Sequence, residues 1–359
     1  MNKFLDNSYN LQNKTISTRF FFAPINTGFT ENGEPSVNLI NFHKLRSGNA
    51  IGISYVGNVA ISPEFVTNNK TLFFGGNYAN WQKLANVIKQ NGSLAGIQIA
   101  CRNSMCPPMK AMTNGDIYSY IDFVSKEISQ FTYNDFQKIK DLFVQQSILA
   151  YSLGFDVIQI HAAHGYFLSQ LLEEKLNIRT DLYGQNRLLL LESIVTEIKQ
   201  AIPDVILDVR LSVLTNLDTP ELELKYKSII INKITQLDVD IISLSNGLYN
   251  VNKQYIYPPA AWGHAPSLDR AIKFACLYPK KTFNVAGNIW DFNLLQNKKP
   301  PANLTFSIGR GLIADPKMII KGFKDGEPPL CRRCGGCNYF SNNEPELTCS
   351  VNKMLTLYK

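Results

Sequence analysis

Asp156-Val-Ile-Gln-Ile-His-Ala-Ala-His-Gly-Tyr-Phe-Leu-Ser-Gln-Leu-Leu172 decides how the rest of the chain is read. Val157, Ile158 and Ile160 form an apolar run after the turn at Gly154, the pattern of a buried strand. His161, His164 and Tyr166 follow, and then Phe167, Leu168, Leu171 and Leu172 resume apolar spacing at helical period. Titratable groups at the C-terminal end of a buried strand, just before a helix, occupy the place where barrels and α/β sheets do chemistry. A lone His there is more often a satisfied core side chain. Three hydrogen-bonding side chains converging at once favour a functional site. Zinc is the weaker reading, because no nearby acid or Cys adds a third ligand in helical register.

Working outward, the same strand–helix alternation recurs. Strands are predicted at Phe20–Ile25, Gly52–Ala60, Leu94–Ala100, Val205–Ser212, Ile241–Gly247, Thr282–Gly287 and Leu304–Arg310. Helices are predicted near Val37–Arg46, at Trp81–Gln90 with Asn80 as N-cap, at Tyr133–Leu153, from the Arg179–Arg187 loop through Ala201, and at Glu221–Leu237 and Ser267–Leu277. The stretch from Cys101 to about Ser129, with Pro107, Pro108 and Gly115, reads as a long irregular loop. Eight strands alternating with helices predict an α/β protein: a single (β/α)8 TIM barrel over residues 1–325, with a cysteine-rich segment at 326–359 packed on it. A doubly wound sheet is disfavoured, since no early strand is followed by a G-x-G-x-x-G turn.

The 359 residues are 45% apolar, enough to bury a large core, and carry a formal charge of +7. The excess Lys is scattered along the chain, which argues against nucleic acid as a partner and leaves phosphate-bearing ligands compatible. No apolar run is long enough to span a bilayer, and the N-terminus lacks a signal-peptide core, so a cytoplasmic protein is expected. Four of the seven cysteines lie within residues 331–349, and in a reducing compartment such clustering argues for metal or cluster ligation rather than disulfides.

The strand ends collect polar and small residues. Asn26 and Thr27 follow the first strand, and Gly57 and Asn58 lie in the second. Gln98 lies late in the third, Arg210 ends the fifth, and Ser245, Asn246 and Gly247 end the sixth. Gly287 ends the seventh, and Gly309-Arg310-Gly311 ends the eighth. Glycines after strands seven and eight let backbone N–H groups approach a phosphate, and Arg310 adds charge. An amide and a guanidinium in a barrel core call for a polar ligand above them, and a flavin ring, with its carbonyl and N–H edges, fits.

With these residues in view, the chain resembles the old yellow enzyme family of NADH:flavin oxidoreductases. The resemblance rests on His161–Leu172, Asn177-Ile-Arg-Thr-Asp-Leu-Tyr-Gly184, Asn186-Arg187, Val209-Arg-Leu-Ser212 and Gly309-Arg-Gly-Leu-Ile-Ala-Asp-Pro316, and it covers the chain from about residue 5 onward. It implies a barrel that holds FMN. Ala23, Pro24, Ile25, Asn26, Asn58, Gln98 and Arg210 would line the ring, and Gly287, Gly309 and Arg310 would hold the phosphate. His161 and His164 would bind the oxygen of an enone or nitro acceptor, and Tyr166 would be the proton donor. The implied reaction passes hydride from reduced FMN N5 to an activated C=C of a small unsaturated or oxidised substrate, with NAD(P)H as reductant. Two departures stand out: the run Tyr183-Gly184-Gln185-Asn186-Arg187 is shorter than in relatives, and position 26 is Asn where many relatives place Thr, Cys or His.

Cys331-x2-Cys334-x2-Cys337-x11-Cys349 supplies four soft ligands, suited to a [4Fe–4S] cluster or to zinc. The arrangement resembles the segment after the barrel in the dienoyl-CoA reductase and trimethylamine dehydrogenase branch, where a cluster relays electrons to or from FMN. Ser341 can be aligned at a ligand position instead, which leaves the set incomplete. Those relatives continue into nucleotide-binding domains, whereas this sequence ends at Lys359, so an electron-transfer protein is an expected partner if a cluster is present. Two alternatives to alkene reduction stay open: an amine or substrate dehydrogenase that drains electrons through the cluster, and a non-catalytic flavin carrier. The natural substrate, the nicotinamide preference and any homo-oligomer are not legible in the sequence.

Overall fold

The computed structural model describes residues 4, 8–102, 116–324, 326, 328–337 and 346–352. Eight parallel strands close into a ring: β1 (Phe20–Phe22), β2 (Ile53–Ala60), β3 (Leu94–Ala100), β4 (Val157–Ala162), β5 (Ile206–Ser212), β6 (Ile241–Ser245), β7 (Thr282–Ala286) and β8 (Leu304–Ile308). Closure is explicit, because β1 pairs with both β8 and β2. This is the (β/α)8 TIM barrel expected from the sequence. The strands run almost wholly buried because helices cover the outside while side chains fill the inside.

Register places the polar side chains of the interior in layers. Gln98 on β3 is opposite Gln159 on β4, and Gln159 is opposite Asp208 on β5. Two residues further toward the C-terminal mouth, His161 is opposite Arg210, and Arg210 is opposite Ser243 on β6. Because side chains alternate at period two, Gln159 and His161 point to the same side of their strand, as do Asp208 and Arg210.

A hairpin absent from the sequence reading, Tyr9–Leu11 paired antiparallel with Lys14–Ile16, forms the floor. Ile16 joins Phe21, Ile53, Tyr55, Val157, Ile206 and Ile241 in a compact cluster, with Tyr9 and Leu11 packed against it. The segment is tied to distant parts of the chain: Gln12 Nε2 donates to Asp240 Oδ1 at 2.7 Å, and Arg19 Nε donates to the Leu304 carbonyl at 2.8 Å.

Most helices fall where the apolar periodicity puts them, and two differ. The second half of the supposed loop is a helix, Ile117–Gln130, whose N-cap Asp116 accepts from the Tyr118 and Ser119 N–H groups. Residues 103–115, including Cys106, lie outside the described residues. The second helix starts at Ala79 with Tyr78 as N-cap, so Asn80 is not the cap. Its Nδ2 instead donates to the Pro35 carbonyl at 2.8 Å, so the side chain secures a neighbouring segment. The shortened Tyr183–Arg187 run forms one helical turn, Leu182–Gln185, capped by Asp181. A Cβ at Gly184 would lie 1.8 Å from the Arg179 carbonyl oxygen, so only glycine fits there.

Two described residues of the C-terminal segment touch the barrel. Leu347 is buried and its N–H donates to the Thr27 carbonyl at 2.7 Å, while Asn352 Nδ2 donates to the Ile313 carbonyl at 2.7 Å. Among the described residues, no helix is long and apolar enough to cross a membrane.

Candidate active site

The mouth of the barrel holds a large cleft open to solvent. Ala23, Pro24, Ile25, Asn26, Asn58, Gln98, His161, His164, Tyr166, Arg210, Gly287, Gly309 and Arg310 all line it. The residues expected to bind cofactor or substrate are thus brought together, because a closed parallel barrel points all eight strand ends at one place, whereas Thr27, Gly57, Ser245, Asn246 and Gly247, also singled out at strand ends, do not line the cleft.

The three central side chains sit on the turn after β4. His161 is the penultimate residue of the strand. His164 takes a left-handed conformation at φ 64°, held by its N–H donating to Ser212 Oγ at 2.9 Å and by its carbonyl accepting from the Tyr249 N–H at 3.1 Å. This turn swings its ring back beside His161, with the two centroids 5.0 Å apart and nearly perpendicular. Tyr166 ends the turn, its ring 4.4 Å from His161.

Burial lowers the pKa of both histidines well below the ordinary value, and the nearby Arg210 guanidinium lowers them further. Both rings are therefore neutral at pH 7, and each has one N–H and one bare nitrogen. His164 Nε2 lies 2.7 Å from Ser245 Oγ. His161 Nδ1 is buried without a partner among the described residues, an arrangement that costs free energy unless a ligand supplies one. Tyr166 is held protonated: burial raises its pKa, the neighbouring Tyr249 adds to the rise, and hydrogen bonds from Thr67 and Asn58 offset part of it. Asn58 Nδ2 donates to Tyr166 Oη at 3.1 Å, and Thr67 Oγ1 lies 3.0 Å from the same oxygen.

Arg210 Nη2 reaches Ser245 Oγ at 3.4 Å. Burial lowers its pKa, with Tyr249 and Asp208 countering that, and it remains a cation in a nearly dry wall. Gly57 is required where three strand ends crowd, since a Cβ there would lie 2.9 Å from Gln98 Cβ and 3.2 Å from Pro24 Cβ. Arg310 Nη2 donates to the Pro258 carbonyl at 2.7 Å, which steadies it at the rim beside Gly287 and Gly309. An unpaired imidazole nitrogen, an amide and a guanidinium in one wall, with glycines and a cation at the rim, make a donor set that fits FMN.

The sequence reading missed Thr67, Tyr249 and Tyr257. Tyr249 packs edge-on against His164 and Tyr166, and its hydroxyl is 2.8 Å from that of Tyr257. Both come from the connection after β6, and no local pattern in the sequence marked them.

The four tail cysteines line a second, much smaller pocket. Arg310, Cys331 and Arg333 line both cavities. A hydrogen bond from the Gly336 backbone, with help from Ser350, holds the Cys334 thiol below its usual pKa. Burial, together with Cys349 and Cys331, pushes Cys337 up to about 12. Among the described residues, no three His, Cys, Asp or Glu side chains converge as a metal-ion set.

The family model described as the NADH:flavin oxidoreductase / NADH oxidase family matches residues 8–326. An NADPH dehydrogenase of Bacillus cytotoxicus is 30% identical over 215 residues, 56% of this chain and 60% of the relative. An NADH oxidase of Thermoanaerobacter brockii is 25% identical over 341 residues, 91% of this chain and 51% of the relative. The match thus spans little more than half the length of these two relatives. A solved structure of 2-naphthoyl-CoA reductase in complex with 2-naphthoyl-CoA matches with a TM-score of 0.80 at 16% identity, covering 100% of this chain and 58% of that one, a likeness of fold. With its barrel closed as in that structure and the family model spanning nearly the whole barrel, the chain belongs to the NADH:flavin oxidoreductase / NADH oxidase family, the old yellow enzymes.

Proposed function

We propose that this chain is an FMN-dependent, NAD(P)H-driven oxidoreductase of ene-reductase type, acting in the cytoplasm on a small acceptor with an activated C=C bond. The observation that carries the reading is the meeting of two neutral histidines, a protonated buried tyrosine and the Gln98/Arg210 wall on one cleft. The names of the relatives, an NADPH dehydrogenase and an NADH oxidase, support a nicotinamide reductant. Ala23 to Asn26, Asn58, Gln98 and Arg210 would hold the flavin ring, and Gly287, Gly309 and Arg310 its phosphate. FMN bound there would supply hydride chemistry.

The chain's own residues do the rest. His161 and His164 donate N–H groups to the acceptor oxygen and stabilise the negative charge that develops on it in a water-poor site. Arg210 stabilises negative charge on the side of the cleft where it lies. Tyr166 keeps its proton on Oη until a strongly basic carbon appears, and its raised pKa suits that task. Asn58 donates to Oη and so directs the phenolic proton elsewhere, and the Thr67 hydroxyl is placed to return a proton afterwards.

Tyr166→Phe is the direct test. Alkene-dependent reoxidation should slow by about 10²–10⁴-fold, the usual contribution of a positioned acid, while reduction by NAD(P)H stays nearly intact. Equal loss in both half-reactions would remove Tyr166 from the role of acid.

The tail carries a second reading, favoured by four thiols lining one cavity that shares a wall with the cleft. As ligands of a [4Fe–4S] cluster or of zinc, Cys331, Cys334, Cys337 and Cys349 would connect the cleft to a partner protein or stiffen the segment, and a cluster would supply single-electron chemistry. An oxidative dehydrogenase would then be the outcome. Iron, sulfide and zinc assayed on protein purified without oxygen decide it: iron with sulfide supports the relay, and their absence removes it.

A further inference from the structure

Beneath the cleft lies a polar layer that none of these roles uses. Asp208 on β5 is fully buried in the barrel interior. Its Oδ2 accepts three hydrogen bonds: from Tyr55 Oη at 2.7 Å, from Ser243 Oγ at 2.9 Å and from Gln159 Nε2 at 2.6 Å. Gln159 Oε1 in turn accepts from Gln98 Nε2 at 2.6 Å, and Gln98 lines the cleft. The three residues stand opposite one another on adjacent strands, so the row is set by sheet register.

A carboxylate only accepts, whereas an amide has one accepting end and one donating end. Ionised Asp208 therefore forces the donating end of Gln159 toward itself. The accepting end of Gln159 then faces Gln98 and draws its Nε2, leaving Gln98 Oε1 as the acceptor for whatever occupies the cleft. We infer that Asp208 is a positioning residue: through Gln159 it locks the Gln98 amide so that the cleft presents an oxygen to a ligand N–H. The inference rests on the flavin reading, and it names the edge that is recognised, because the oxidised isoalloxazine ring has one N–H, at N3.

The lock depends on charge. Burial pushes the Asp208 carboxyl up to about 6, against the hydrogen bonds from Gln159, Tyr55 and Ser243 and the nearby Arg210. Tyr55 on β2, Ser243 on β6, Gln159 on β4, Arg210 on β5 and Tyr9 of the floor hairpin are the polar groups that face or influence it. Asp208 Oδ1 has no partner among the described residues. Once protonated, the carboxyl also donates, and the row loses its fixed direction.

The test is binding of FMN and of N3-methyl-FMN to the full chain stripped of flavin, followed by fluorescence quenching. In the wild type at pH 8, methylation removes the donor and leaves Gln98 Oε1 unpaired, so the dissociation constant should rise by about tenfold. Asp208→Asn can donate to Gln159, so the row can reverse and the ratio should fall below about threefold. Adding Gln159→Glu to Asp208→Asn restores an acceptor-only link, and the ratio should return to about tenfold. A merely structural Asp208 predicts no such rescue. In the wild type alone, the ratio should shrink as pH falls from 8 to 5 through the Asp208 titration at about 6. That experiment remains decisive if the variants do not fold. A ratio that stays near tenfold in Asp208→Asn, a double variant without rescue, or a wild-type ratio independent of pH overturns the inference. Absence of FMN binding in the wild type overturns the functional reading itself, and so separates the two failures.

Discussion

The barrel mouth and the cysteine tail both hold four or more chemistry-bearing side chains, yet the chain organises them differently. At the mouth, the backbone places them: each side chain hangs from a strand end or the turn after it, and register fixes neighbours such as His161 and Arg210. In the tail no strand or helix carries the cysteines, and the four thiols share a cavity without converging as ligands. A scaffold built from strands arranges its site before any ligand arrives. A loop of thiols that held a metal would instead be ordered by it, because ligation free energy would do the work of packing.

That contrast can be broken in several places. The largest effect is expected from replacing Cys331, Cys334, Cys337 and Cys349 together by Ser. Under the cluster or zinc reading, the metal that the wild type carries should be lost, while FMN affinity at the mouth changes by less than about threefold if the mouth is arranged by its strands alone. Loss of both together would show that the mouth depends on the tail through their shared wall. Gly57→Val should act at the mouth alone. Its side chain would press on Gln98 and Pro24, an overpacking cost of about 1–3 kcal/mol, which is on the order of tenfold in FMN affinity by titration. The smallest effect concerns stability. The buried Asp208 carboxyl titrates at about 6, above its usual range near 4, so the folded chain keeps a proton that the unfolded chain gives up. Its contribution is fully present below about pH 4 and is lost as pH rises through about 6. Urea unfolding between these values should show that slope, and Asp208→Asn should flatten it.

The mouth was legible for the reason that makes it rigid. An apolar run at strand spacing, ended by His161, Arg210 or Gly309, tells where a strand stops, and a barrel turns stopping points into neighbours. Thr67 and Tyr249 were not legible, because loops place them. Thr67 meets Tyr166 across 99 positions of sequence, and no local pattern encodes that meeting. Asp208 was hidden in another way. In Val205–Ser212 it reads as a polar interruption of a core strand, and its meaning comes only from Gln159 and Tyr55 on other strands. The helix Ile117–Gln130 was obscured by the prolines and glycine before it, and its cap, Asp116, is an ordinary surface residue in composition.

The floor hairpin has a consequence in time. Residues 9–16 leave the ribosome long before the groups that hold them and the following Arg19 in place. Gln12 waits for Asp240 across 228 positions, and Arg19 waits for Leu304 across 285. At about 5–20 residues per second of synthesis, Tyr9, Leu11 and Ile16 spend on the order of tens of seconds without the strands that cover them. The barrel is therefore sealed from below only after its last strand exists, and until then the apolar side chains of the floor hairpin stay open to a chaperone.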